Sequence, residues 1–142
     1  MFNPEVFGSE LGRVHRKWRA RLDDRLKETG LTQARWYALL TIWRQKKEAL
    51  TQRELAQLLG VEGPSLVRVL DWLEAEALVQ RCPANGDRRA NAIKPTEKAR
   101  PLMAKIARIT DEVRAELLQD IPPDQLAVAT SVLRSIGDRL ER

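Results

Sequence analysis

The stretch TQRELAQLLGVEGPSLVRVLDWL, residues 51–73, decides the fold. Thr51 and Glu54 have the spacing of a capping box, in which each side chain satisfies a backbone N–H of the other residue, so a helix opens here. Leu55, Leu58 and Leu59 are expected to form its buried side, and Gly60, tolerant of positive φ, stops it. After the turn Val61–Glu62–Gly63, Pro64 opens a second helix, where its missing N–H costs nothing. Leu66, Leu70 and Leu73, with Val69, give that helix an inner face, and Ser65, Arg68, Asp71 and Trp72 fall largely on others. Helix, tight turn, helix is the arrangement whose second member fits the major groove of duplex DNA, about 12 Å wide. Pro64, Ser65 and Arg68 stand at the end of that helix that meets base edges. Arg68 has the donors for guanine O6 and N7, a contact worth about 1–3 kcal/mol of discrimination.

Downstream, residues 78–82 read as a strand, Asn85–Gly86–Asp87 as a turn and 91–94 as the returning strand. This small β-hairpin carries Asp87, Arg88 and Arg89 at its tip. An arginine on a thin hairpin suits the minor groove, where narrow A·T tracts concentrate negative potential, and Asp87 is placed to orient one by a charge-assisted hydrogen bond. Taken singly, each feature has a plainer reading: a helical corner, a solvated arginine, a polar turn. Their order and compact spacing favour a winged helix-turn-helix.

On either side lie amphipathic helices. Leu11, Val14, Trp18, Leu22 and Leu26 recur at helical spacing from about Ser9 to Lys27, and Gly30 ends that run. Thr32 is placed to cap the next helix, with Trp36, Leu39, Leu40 and Trp43 on one face. Residues 44–49 read as a connector. Thr96 is a cap for a long helix carrying Ala99, Leu102, Ile106, Ile109, Val113 and Leu117. Pro122–Pro123 breaks it, and a last helix carries Leu126, Ala129, Leu133, Ile136 and Leu140. The expected fold is therefore mainly α with a small β-hairpin wing (α+β). Residues 1–142 form one domain, with a DNA-binding lobe over 32–96 and a helical dimerisation lobe from 5–30 and 97–142. The outer stripes predict a homodimer reading two half-sites about one DNA turn apart; the plainer reading is that they close a monomeric core.

Bulk properties agree without deciding. The chain has 142 residues, is 43% hydrophobic and 32% charged, and has a net charge of +5. A polyanionic partner fits that charge. Yet the excess sits in residues 1–50, with eleven basic and six acidic side chains, while residues 51–96 balance at six each. Individual arginines therefore carry more weight than the total. One cysteine, Cys82, gives no disulfide framework, and no apolar run is long enough to span a bilayer, so a cytoplasmic protein without membrane contact is expected. With one histidine, His15, and no phosphate loop, paired-carboxylate motif or metal-ligand cluster, no catalytic residue, metal site or cofactor is expected. Cys82 is open to two readings, an oxidant-responsive thiol near arginines or an inert small strand residue.

The runs 11–13 and His15 to Trp18, 31–33 with Trp36, 60–71, 87–90 (Asp-Arg-Arg-Ala) and 94–99 together resemble the MarR family of transcriptional regulators, within it the SlyA type. The resemblance covers nearly the whole chain and is most specific in 60–68 and 87–90. It implies dimers on pseudo-palindromic DNA, with Pro64, Ser65 and Arg68 in the major groove, Arg89 in the minor groove and Arg88 on the backbone. It also implies release by a small phenolic or aromatic carboxylate, for which Arg13, Arg16, Trp18 and Trp36 would offer a carboxylate partner and stacking faces; core packing is the other reading of both tryptophans. Pro95 departs from the apolar residue common there and is expected to shorten the second wing strand. Two other function classes compete: a protein-interaction module that kept the fold, against which the charged wing tip argues, and a non-specific nucleic-acid or RNA binder.

Overall fold

A computed structural model describes residues 1–45, 50–84 and 87–142, and of residues 84 and 87–90 the backbone only. Compactness divides the chain into residues 1–111 and 112–142. The elements are α1 (Pro4–Arg25), a 3-10 turn (Lys27–Thr29), α2 (Gln33–Arg44), β1 (Leu50–Thr51), α3 (Gln52–Leu59), α4 (Gly63–Ala75), β2 (Val79–Ala84), β3 (Asp87–Pro95), α5 (Ala99–Leu118) and α6 (Pro123–Leu140). The chain is mainly helical, with one three-stranded antiparallel sheet ordered β1-β3-β2.

The helix-turn-helix forms from local signals. Thr51 Oγ1 accepts from the Glu54 N–H at 3.1 Å, and the Glu54 carboxylate reaches back to the Thr51 N–H at 3.4 Å. Gly60 closes α3 at φ 67°, and Pro64 stands in the first turn of α4. Leu55, Leu66, Leu70 and Leu73 are fully buried beside Leu39, Leu40 and Trp36 of α2 in the core of residues 1–111. Leu58, expected inside, is 48% exposed: α3 has eight residues, so only a narrow stripe faces the core.

Several boundaries move. α1 begins at Pro4 rather than near Ser9, because Asn3 Oδ1 accepts from the Glu5 N–H at 3.0 Å and Pro4 opens the first turn. Thr32 holds the N-cap position of α2 without a side-chain cap bond. β1, which pairs Leu50 with Ile93 and Thr51 with Ala92, directly follows the expected connector and was not expected. β3 is longer than expected and runs through Pro95, which pairs with Val79. The turn expected at Asn85–Gly86 lies outside the described residues.

In α5 the buried positions include Ala99, Met103, Ile106, Ile109 and Val113. Met103 replaces Leu102, half-buried, from the expected stripe. Thr96 Oγ1 accepts from the Ala99 N–H at 3.3 Å, as a cap should, and donates to the Ala77 carbonyl at 2.6 Å. That second bond holds the end of α4, where Ala77 takes φ 59°, a conformation costly for a residue with a Cβ. The Leu78 N–H closing onto the Leu73 carbonyl at 2.8 Å fixes the same turn.

Taken by itself, α6 has no buried residue, and Val128, Val132, Leu133 and Leu140 are exposed. On α1, Phe7, Leu11 and Val14, at spacings of four and three, are likewise exposed.

Candidate nucleic-acid interface

α4 is two-faced. Leu66, Leu70 and Leu73 anchor it, and Pro64, Ser65 and Arg68 are all exposed on another side of its first two turns. Their spacing of three and four puts Ser65 and Arg68, and Pro64 and Arg68, one turn apart. Arg68 has no ion-pair partner among the described residues, so its guanidinium is available to an outside acceptor. Arg35 of α2 stacks its guanidinium 3.8 Å from the Trp72 ring centroid, bracing the flank of α4.

The wing joins α4 through the tight turn at Ala77. Asp87, Arg88 and Arg89 lie at the start of β3, with Asp87 opposite Ala84; their side chains lie outside the described residues. Between hinge and tip, Arg81 of β2 reaches back to α4. Its Nη2 lies 2.5 Å from Asp71 Oδ1 and 3.1 Å from Glu74 Oε1, its Nε 3.3 Å from Glu74 Oε2, and its own N–H donates to Glu74 Oε2 at 3.2 Å. The Arg81 side chain is only 20% exposed. Its hydrogen bonds hold the Glu74 carboxyl below the usual carboxylate range. Sequence reasoning missed this cluster, because its members are seven and ten residues apart and meet only once the Ala77 turn is formed.

The four expected effector residues are not brought together. Trp36 is fully buried, its Nε1–H donating to Asp23 Oδ1 at 3.1 Å. Arg13 pairs with Glu10 at 2.6 Å on the outer surface of α1, and Trp18 is half-buried. Arg16 lines an open cavity of about 400 Å³ with His15, Arg19, Ala20, Asp23 and Gln33. Arg19 stacks 3.7 Å from the Tyr37 ring centroid. A second cavity of about 400 Å³ lies among Ile42, Trp43, Leu50, Ile93, Arg100 and Met103. Cys82 is a free, half-buried thiol in β2 opposite Ala92. Among the described residues no cluster of three or more metal-ligating side chains occurs, and no helix is long and apolar enough to cross a membrane.

A short capped helix, a glycine-closed turn, a second helix with an exposed polar face and a hairpin hinged on its end define a winged helix-turn-helix protein, a DNA-binding class. Comparison with known proteins narrows the class. Residues 29–90 match the model of the MarR family. The chain is similar to the transcriptional regulator PA3341, with 47% identity and a TM-score of 0.90 over 95% of this chain and 98% of that one. A MarR-family transcriptional regulator from Rhodococcus sp. RHA1 is 26% identical at a TM-score of 0.79, covering 96% and 95%. CouR from Rhodococcus jostii RHA1, solved bound to p-coumaroyl-CoA, is 26% identical at 0.79, covering 92% and 90%. The chain belongs to the MarR family of transcriptional regulators.

Proposed function

We propose that this regulator binds double-stranded DNA sequence-specifically, as a homodimer on a pseudo-palindromic operator. The observation that carries this reading is the division of α4, whose leucines are buried while Pro64, Ser65 and Arg68 face outward together. In this reading Arg68 reads a base in the major groove, Ser65 contacts a phosphate or base, Arg89 enters the minor groove oriented by Asp87, and Arg88 holds the backbone. Residues 32–96 carry the DNA contacts. Residues 5–30 and 97–142 dimerise through the apolar side chains left exposed on α1 and α6, surfaces that a single chain has no reason to show water. The regulator acts in the cytoplasm. Within the family, the Gly60 to Arg68 run and the 87–90 wing favour the SlyA type.

The experiment compares Arg68→Ala and Arg89→Ala by fluorescence anisotropy, on a preferred duplex and on a scrambled duplex of equal length. Arg89→Ala is expected to weaken both by similar factors. Arg68→Ala is expected to weaken the preferred duplex more, by about 1–3 kcal/mol, relaxing base preference. Equal loss on both duplexes for Arg68→Ala would remove it from base reading.

A small phenolic or aromatic carboxylate is proposed as the releasing effector. The cavity holding Arg16 supports this, since Arg16 and Arg19 supply cationic partners for a carboxylate and Tyr37 an adjacent ring. CouR, bound to p-coumaroyl-CoA, is a related scaffold that takes a phenolic acyl group, there as a thioester. Arg16 lines this cavity, and Arg13, Trp18 and Trp36 would take part only through rearrangement.

A further inference from the structure

The geometry points to Arg81 as a positioning residue that couples the wing to the recognition helix, so that both grooves are engaged by one preorganised unit; we propose this on top of the DNA-binding reading above. Asp71 stands one turn beyond Arg68 on α4, and Glu74 one turn beyond that. Arg81 occupies β2 midway between the hinge at Ala77 and the hairpin end at Ala84. Its planar fork spans both carboxylates while its backbone N–H holds Glu74, giving four hydrogen bonds across one joint. Beyond Ala92, the partner of Thr51 in β1, the hairpin is a two-stranded ribbon, which twists easily. A cross-brace partway along fixes where its tip lies relative to the helix. The brace has a second effect. Asp71 and Glu74 lie on the helix that approaches phosphates, and Arg81 neutralises charges that would otherwise repel the DNA. Arg81 itself is largely covered, so it acts through the wing rather than by touching DNA.

The test separates positioning from stability and from charge. In the parent protein, Arg89→Ala is expected to weaken binding to a preferred duplex about 5- to 150-fold, the range for one arginine contact. In an Arg81→Ala background the wing no longer docks in register, and Arg89→Ala is expected to cost no more than about twofold. The cost of Arg68→Ala stays unchanged. The full chain carrying Asp71→Asn with Glu74→Gln loosens the same brace from the helix side. It is expected to shrink the Arg89→Ala factor in the same way, although it removes negative charge and keeps Arg81. Arg81→Lys, a point charge without the fork, is expected to rescue only part of the coupling. Equal Arg89→Ala factors in all backgrounds would overturn the coupling while leaving the wing contact standing. An Arg89→Ala factor near one in the parent would overturn the wing reading and the coupling with it. Should Arg81→Ala fail to fold, the Asp71→Asn, Glu74→Gln pair carries the same comparison.

Discussion

Leu133→Asp is expected to convert the regulator to a monomer at micromolar concentration and to lower affinity for a two-half-site operator by about 100-fold or more. Leu133 lies on the stripe of α6 that a single chain leaves nearly half exposed, and no residue of that helix is buried. A carboxylate there meets water in the monomer, so the fold should tolerate it within about 0.5 kcal/mol. In a dimer interface the same carboxylate would have to be desolvated without a partner. Joining two modest half-site contacts makes the second effectively intramolecular, typically a gain of about 10²–10⁴, and that gain disappears with the dimer. Light scattering coupled to gel filtration, a melting curve and an operator titration together decide the matter. A monomer with unchanged melting and lost affinity supports the interface. A large fall in melting temperature would show that the stripe closes a core within one chain.

Trp36→Ala carries the largest expected effect on stability. Trp36 has no exposed surface, sits beside Leu39 and Leu40, and its ring N–H is satisfied by Asp23. Truncation removes the largest side chain of the core, leaves a cavity and strands the Asp23 partner. About 3–5 kcal/mol is expected, against a usual domain stability of about 5–15 kcal/mol. Circular dichroism should show a melting temperature lower by roughly 10 °C or more. A loss of only a few degrees, with altered response to an aromatic carboxylate, would instead return Trp36 to the wall of a ligand pocket.

Trp36 also shows where sequence reading runs out. A tryptophan at helical spacing from two leucines is the same pattern whether it fills a core or flanks a pocket. Only its complete burial in the folded chain, where its ring N–H is satisfied by Asp23, places it in the core. The helix-turn-helix was legible because its signals are local and chemically specific: the Thr51–Glu54 box, Gly60 in the left-handed region, and Pro64 where an N–H is dispensable. β1 was not legible, since two residues have no periodicity and Leu50–Thr51 is a strand only through Ile93 and Ala92. The start of α1 was missed because its first turns carry no core stripe, only the Asn3 cap. In α5 the buried stripe passes through Met103 and leaves Leu102 half-buried, a choice between two adjacent apolar residues that spacing alone does not make. At the interface, Pro64, Ser65 and Arg68 follow from position in a helix. The Arg81 brace depends on a turn that places Ala77, where glycine would be expected, in the left-handed region.

The measurement that bears most directly on the central claim is selection of duplexes from a random pool by the wild-type protein, followed by sequencing. Recovery of an inverted repeat, with half-site centres about 10 base pairs or one DNA turn apart, is the expected result. Enrichment should disappear in Leu133→Asp and broaden in Arg68→Ala. A pool that stays random at low salt, or one in which single-stranded nucleic acid outcompetes duplex, would contradict the reading of α4 as a recognition helix.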